Sequence, residues 1–95
     1  MLKNRTMKKF TRTEIEEQVA DILVDKLYNV KRAEIFPESK LMADLGADSI
    51  DVVEVDIAME KAFRISIPDD EFYTLKEMNV REVCDLVERL QNDNH

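Results

Sequence analysis

Apolar residues recur at the 3.6-residue spacing of helices in three separate stretches of the chain. The first stripe is Ile15, Val19, Ile22, Leu23 and Leu27. Ahead of it, in "FTRTEI", Thr11 is placed to cap the free amides while Glu14 reaches back, and Phe10 and Ile15 stand at staple positions. A helix is predicted from there to Tyr28 or Asn29. The last stripe is Val80, Val83, Leu86, Val87 and Leu90, with Cys84 beside it. It opens on "MNVREV", where Asn79 and Glu82 fit the same capping box. Between these two, "LGADSID" starts a further helix, with Asp48 as N-cap and Asp51 three residues on, predicted to run to Phe63 or Arg64. Pro68 in "ISIPDDEF" blocks continuation, and Asp69 is placed to cap a short third helix.

A connection of about eighteen residues separates the first two main helices, long enough to need anchors of its own. Ile35, Phe36, Leu41 and Leu45 are the apolar residues available for that. One glycine and two prolines in 95 residues leave little material for hairpins. The expected fold is all-α, a small bundle of three main helices plus one short helix. Residues 1–10 read as a basic N-terminal tail, 11–91 as the helical domain and 92–95 as a polar C-terminal tail.

The middle helix has two apolar faces. At 100° per residue from Ile50, the residues Val52, Val55, Ala58, Met59, Ala62 and Phe63 fall between roughly 80° and 220°, the width of a core face. Ile50, Val53 and Ile57 form a second stripe, flanked by Glu54 and Glu60. Either the long connection covers this stripe, or it is the apolar centre of a docking surface with an acidic rim.

Charge sharpens that choice. Five of the 14 Lys and Arg fall in residues 1–12, which hold no acid, leaving nine to face all 21 Asp and Glu. Such a body repels nucleic acid and anionic membrane, and suits partners with basic surfaces. The basic head is too short and too poor in apolar residues for a signal peptide, so a solvated tail is expected. Residues 41–60 contain Asp44, Asp48, Asp51, Glu54, Asp56 and Glu60 and no Lys or Arg. No run reaches the roughly 18 apolar residues that span a bilayer. The lone Cys84 rules out an intramolecular disulfide and fits a reducing compartment. A cytoplasmic monomer is expected.

Ser49 lies at the start of the two-faced helix, between Asp48 and Ile50. A nucleophilic serine needs a base within reach and an oxyanion hole. The single histidine, His95, is the last residue of the polar tail, and no G-x-S-x-G elbow is present. Clustered Cys or His ligands are absent from the sequence, and "DLGADSID" lacks calcium-loop spacing, so no metal site is expected. Two readings of Ser49 remain: an ordinary first-turn serine, or a serine that another enzyme modifies. A helix N-terminus, with its free amides and positive dipole end, tolerates a phosphoester.

The run "DLGADSIDVVEVDIAMEKAF…IPDDEF" resembles the acyl carrier proteins, whose signature is a D-S-L tripeptide at the start of the second helix; here it reads D-S-I. The resemblance covers roughly residues 13–91. It implies a carrier, not a catalyst, with Ser49 as the attachment point of 4′-phosphopantetheine, derived from coenzyme A, and Asp48 beside it. A phosphopantetheinyl transferase would install the arm, whose thiol carries acyl groups as thioesters among synthases, reductases and transferases. The resemblance assigns Asp51, Glu54, Glu60, Ile50, Val53 and Ile57 to the partner face, and Val52, Val55, Met59, Phe63 and Ile67 to lining a buried acyl chain. Fatty-acid-type biosynthesis is the first expectation. A carrier dedicated to a polyketide, modified-lipid or cell-envelope pathway is the second, since Lys61, Ala62 and Arg64 replace the acidic run common at this helix end. A third reading, of another class, is an unmodified acidic interaction module.

Overall fold

The computed structural model describes residues 9–93; most of the basic tail and the end of the polar tail lie outside them. The helices are α1 (Arg12–Lys26), α2 (Ser49–Phe63), α3 (Asp69–Leu75) and α4 (Val80–Asp93), and no strand is formed among the described residues. The all-α expectation holds. α1 packs against both α2 and α4, and their facing stripes meet in one core that includes Ile15, Leu23, Val52, Met59, Val83 and Val87.

The starts of the main helices follow the sequence signals. At α1, Thr11 Oγ1 accepts from the Glu14 amide at 3.2 Å, and Glu14 accepts in return from the Thr11 amide at 2.9 Å. At α4, the Asn79 and Glu82 side chains exchange the same pair of bonds, at 2.8 and 2.9 Å. Phe10 turns its ring edge-on to Phe63, with centroids 5.1 Å apart. Its backbone is held at both ends by the Gln91 side chain, which accepts from the Phe10 amide at 3.1 Å and donates to its carbonyl at 2.7 Å. Residue 10 is thus seated in the bundle.

Two helix ends differ from expectation. α1 stops at Lys26 with Leu27 as an extended C-cap, and Asn29 turns the chain with φ 61°. α3 begins at Asp69 itself, after Pro68, and has no side-chain cap. Proline fixes a φ that suits a helix start, so the turn is set by Pro68 and not by the aspartate.

The long connection is stitched down chiefly by backbone. It holds a short 3-10 turn, Arg32–Glu34, and then crosses the start of α4. The amides of Val80 and Arg81 donate to the carbonyls of Ser39 and Pro37 at 2.9 and 3.0 Å, and the Leu41 amide donates to the Met78 carbonyl at 3.2 Å. Two first-turn amides of α4, which no intrahelical carbonyl can serve, are satisfied this way. Leu41 is fully buried, and Ile35 and Leu45 are half-buried. Phe36, expected as an anchor, is 57% exposed; Ser39 and Ala47 occupy the buried positions instead. Leu41→Ala should therefore lower the unfolding free energy by about 2–5 kcal/mol in urea titrations, whereas Phe36→Ala should change it by less than about 1 kcal/mol.

Candidate functional site

The site is built at the junction of the connection and α2. Gly46 has φ 77°, and a Cβ there would meet nothing within 4 Å, so the backbone conformation and not crowding asks for glycine. The next residue, Ala47, is buried, and its amide donates to the Leu41 carbonyl at 2.9 Å. This tether fixes where the helix begins. Asp48 then accepts from the Asp51 amide at 2.8 Å, and Asp51 accepts from the Asp48 amide at 3.0 Å. Two aspartates satisfy two orphan amides, each bond strengthened by the carboxylate charge. Ser49 is the first helical residue and is exposed.

The same cap commits parts of the acidic rim. Asp51 is half-buried by its role in the cap, while Asp48 and Glu54 are exposed. Glu60 is half-buried, and its carboxylate accepts from the Ile67 amide at 2.7 Å, holding down the segment that leads to α3. Nothing in the sequence pattern marked Glu60 for this bond, because its partner is a backbone amide seven residues away.

Val52, Val55, Met59 and Phe63 are buried, and Ile67 joins them from the following segment. Ile50, Val53 and Ile57 lie on the other side, 70%, 42% and 52% exposed. The connection does not cover them, so of the two readings of this stripe the exposed surface is the one the fold adopts. The ion pairs of the described residues join Arg12 to Glu16, Asp85 and Glu88, Lys26 to Asp25, Arg32 to Asp21 and Arg89 to Glu71. None includes a carboxylate of α2. The helix shows solvent an apolar stripe with uncompensated acids around it.

Asp56 was not among the expected site residues, yet it is the strained member of this helix. One of its carboxylate oxygens is buried without a hydrogen-bond partner. Burial, and after it the charges of Glu60 and Asp69, push its carboxyl up to about 6 from an ordinary 3.8. A charged residue at a position of otherwise apolar character was the available signal. Cys84 is buried, and burial pushes its thiol up to about 11, so it stays a protonated core residue at neutral pH.

A small helical bundle that presents a serine on the first turn of a two-faced acidic helix is the architecture of a carrier domain. A family profile described as "Phosphopantetheine attachment site" matches residues 17–87. The chain is 43% identical over 77 residues to the acyl carrier protein of Porphyromonas gingivalis, covering 81% of this chain and 95% of that protein. It is also 43% identical over 77 residues to the acyl carrier protein of Amoebophilus asiaticus, covering 81% of this chain and 92% of the relative. The chain belongs to the acyl carrier protein family. It is a carrier of 4′-phosphopantetheine and not a catalyst, and a phosphopantetheinyl transferase and acyl-processing enzymes are its partners. No helix of the described residues is long and apolar enough to cross a membrane.

Because the folded-state value of Asp56 is raised, this group favours folding most below about pH 4, and that contribution is lost as pH rises through about 6. Asp56→Asn should therefore stabilise the protein at pH 7.5, by about 1 kcal/mol once solvent screening of a partly exposed group is allowed for. Thermal melts should show a rise of about 4–8 °C there, shrinking towards pH 4.

Proposed function

We propose that Ser49 is the residue that carries the 4′-phosphopantetheine arm. The observation that carries this reading is its position: an exposed hydroxyl on the first turn of α2, beside the exposed stripe of Ile50, Val53 and Ile57. The free amides and dipole of the helix start favour the phosphoester that attachment creates. The carboxylates next to Ser49, Asp48 and Asp51, are engaged by the amides of the helix start, and no histidine lies near it in the sequence, so the base falls to the transferase. It must also supply positive charge to offset Asp48 and Asp51. When attached, the arm provides a terminal thiol that holds acyl groups as thioesters. The protein's own contribution is a tether that raises effective concentration in a docked active site, and a surface that partners recognise.

That surface is α2. Ile50, Val53 and Ile57 form its apolar centre, with Asp48, Asp51, Glu54 and Glu60 as the acidic rim meeting Arg and Lys on partner enzymes. Of the rim, Glu54 is the carboxylate with no bond among the described residues, so docking should depend on it more than on Asp51 or Glu60. Val52, Val55, Met59, Phe63 and Ile67 are the residues an acyl chain would displace on entering the bundle. Acyl delivery within fatty-acid-type biosynthesis, by a cytoplasmic monomer whose carrier domain includes residues 11–91, is the reading we favour. The similarity to proteins named acyl carrier protein over most of their length supports it. The excess of acid supports a protein that avoids nucleic acid and membrane surfaces.

Incubation with coenzyme A and a phosphopantetheinyl transferase should add one arm, seen by intact mass, and Ser49→Ala should abolish the adduct. An adduct that survives Ser49→Ala, or none with several transferases, rules the assignment out. Glu54→Lys should slow arm transfer or partner turnover by about fivefold, the scale of one charge-reversed contact, with far-UV circular dichroism unchanged. Loss of helicity in that variant would make Glu54 a structural residue.

A further inference from the structure

The chain carries its own basic segment, and the fold roots that segment at one end of the acidic helix. Residues 1–8 contain Lys3, Arg5 and Lys8 with Leu2 and Met7 among them, and no acid. They join the described fold at Lys9, whose Nζ donates to Asn92 Oδ1 at 3.3 Å. Phe10, immediately after, is fixed against Phe63 and Gln91. The root of the segment therefore sits where α2 and α4 end.

Length decides how far it reaches. Eight extended residues span about 26–29 Å, and the fifteen residues of α2 rise about 22 Å. Phe63 is on the core face, so the segment must first pass around the helix end, which uses about two residues. The length left over is enough for Arg5 to reach the level of Glu60 and Asp56, and for Lys3 to reach that of Glu54.

The face so reached is complementary in both charge and polarity. Asp56 and Glu60, with Asp69 near them, repel one another, and no ion pair among the described residues relieves them. The exposed Ile50 and Val53 offer apolar surface to Leu2.

We propose that the basic segment before Lys9 is the intramolecular occupant of the α2 face, with Arg5 against the carboxylates of its C-terminal half and Lys3 level with Glu54. It occupies the surface that partner enzymes need and yields to them by competition. That consequence rests on the docking role assigned to α2, whereas the occupancy itself does not. An intramolecular ligand on a short tether is present at high effective concentration, so even weak exposed ion pairs suffice to hold it.

The test places a nitroxide on the full chain at Asn4→Cys, in a Cys84→Ala background, and reads amide line broadening by NMR. Broadening should be strongest in residues 50–60 at low salt and should fade at about 0.5 M sodium chloride, where screening is short-ranged. Broadening centred on α1 or α4, none at all, or the same pattern between a labelled copy and a separate isotope-enriched copy would overturn the proposal. In parallel, K3Q/R5Q should accelerate arm transfer to the protein about three- to fivefold at low salt, the scale of two exposed ion pairs, and equally with wild type at high salt. An unchanged low-salt rate would overturn the competition. Broadening on α2 in a protein that accepts no arm refutes the Ser49 assignment alone, and arm transfer without that broadening refutes the occupancy alone.

Discussion

Burial of Val52, Val55, Met59 and Phe63 fixes the rotation of α2 about its own axis, and the outward surface of the protein follows from that single constraint. Helix side chains are spaced by a set angle, so once one face is committed to the core the opposite residues have no choice of direction. Ile50, Val53 and Ile57 must then face solvent unless something covers them. The connection is unavailable for that purpose, because its backbone is bonded across the start of α4, from Pro37, Ser39 and Leu41 to Arg81, Val80 and Met78. An apolar stripe left in water forgoes the stabilisation that its burial would give, in a protein whose core is small to begin with.

The acidic rim has a similar origin. Asp48 and Asp51 are part of the helix start as well as of the surface, since their carboxylates accept each other's amides. Glu60 restrains the Ile67 amide, and so links α2 to the segment before α3. In this carrier three of these acids therefore serve the fold, and Glu54 makes no such bond among the described residues. Asp56 is the exception in the other direction, a carboxylate placed partly in the interior with one oxygen unpartnered. Burial raises its proton affinity first, and the negative charges of Glu60 and Asp69 add to that.

The helix starts were legible because capping is local chemistry. Thr11 with Glu14, Asp48 with Asp51 and Asn79 with Glu82 each lie three residues apart, and each pair forms the reciprocal bonds their spacing implies. The helix ends were less legible: Lys26 closes α1 before Tyr28, since no comparable side-chain signal marks a C-terminus without glycine. In the connection, apolar character did not separate Leu41, fully buried, from Phe36, largely exposed. Which of several apolar residues in a loop turns inward is settled by the backbone path, and that path is set by carbonyls meeting amides of a helix forty residues later.

Sequence alone determined the helical class, the two-sided character of α2, the place of Ser49 on its first turn and the family likeness carried by "LGADSID". All of these rest on spacing within one segment, where covalent geometry fixes the relation between residues. The tertiary structure decided that the Ile50, Val53 and Ile57 stripe is open and that Glu60 holds Ile67. It also decided that Asp56 is confined between acids and that Phe10 roots the basic segment beside Phe63. Each of those depends on the distance between segments remote in the chain, which only the packing of the helices sets.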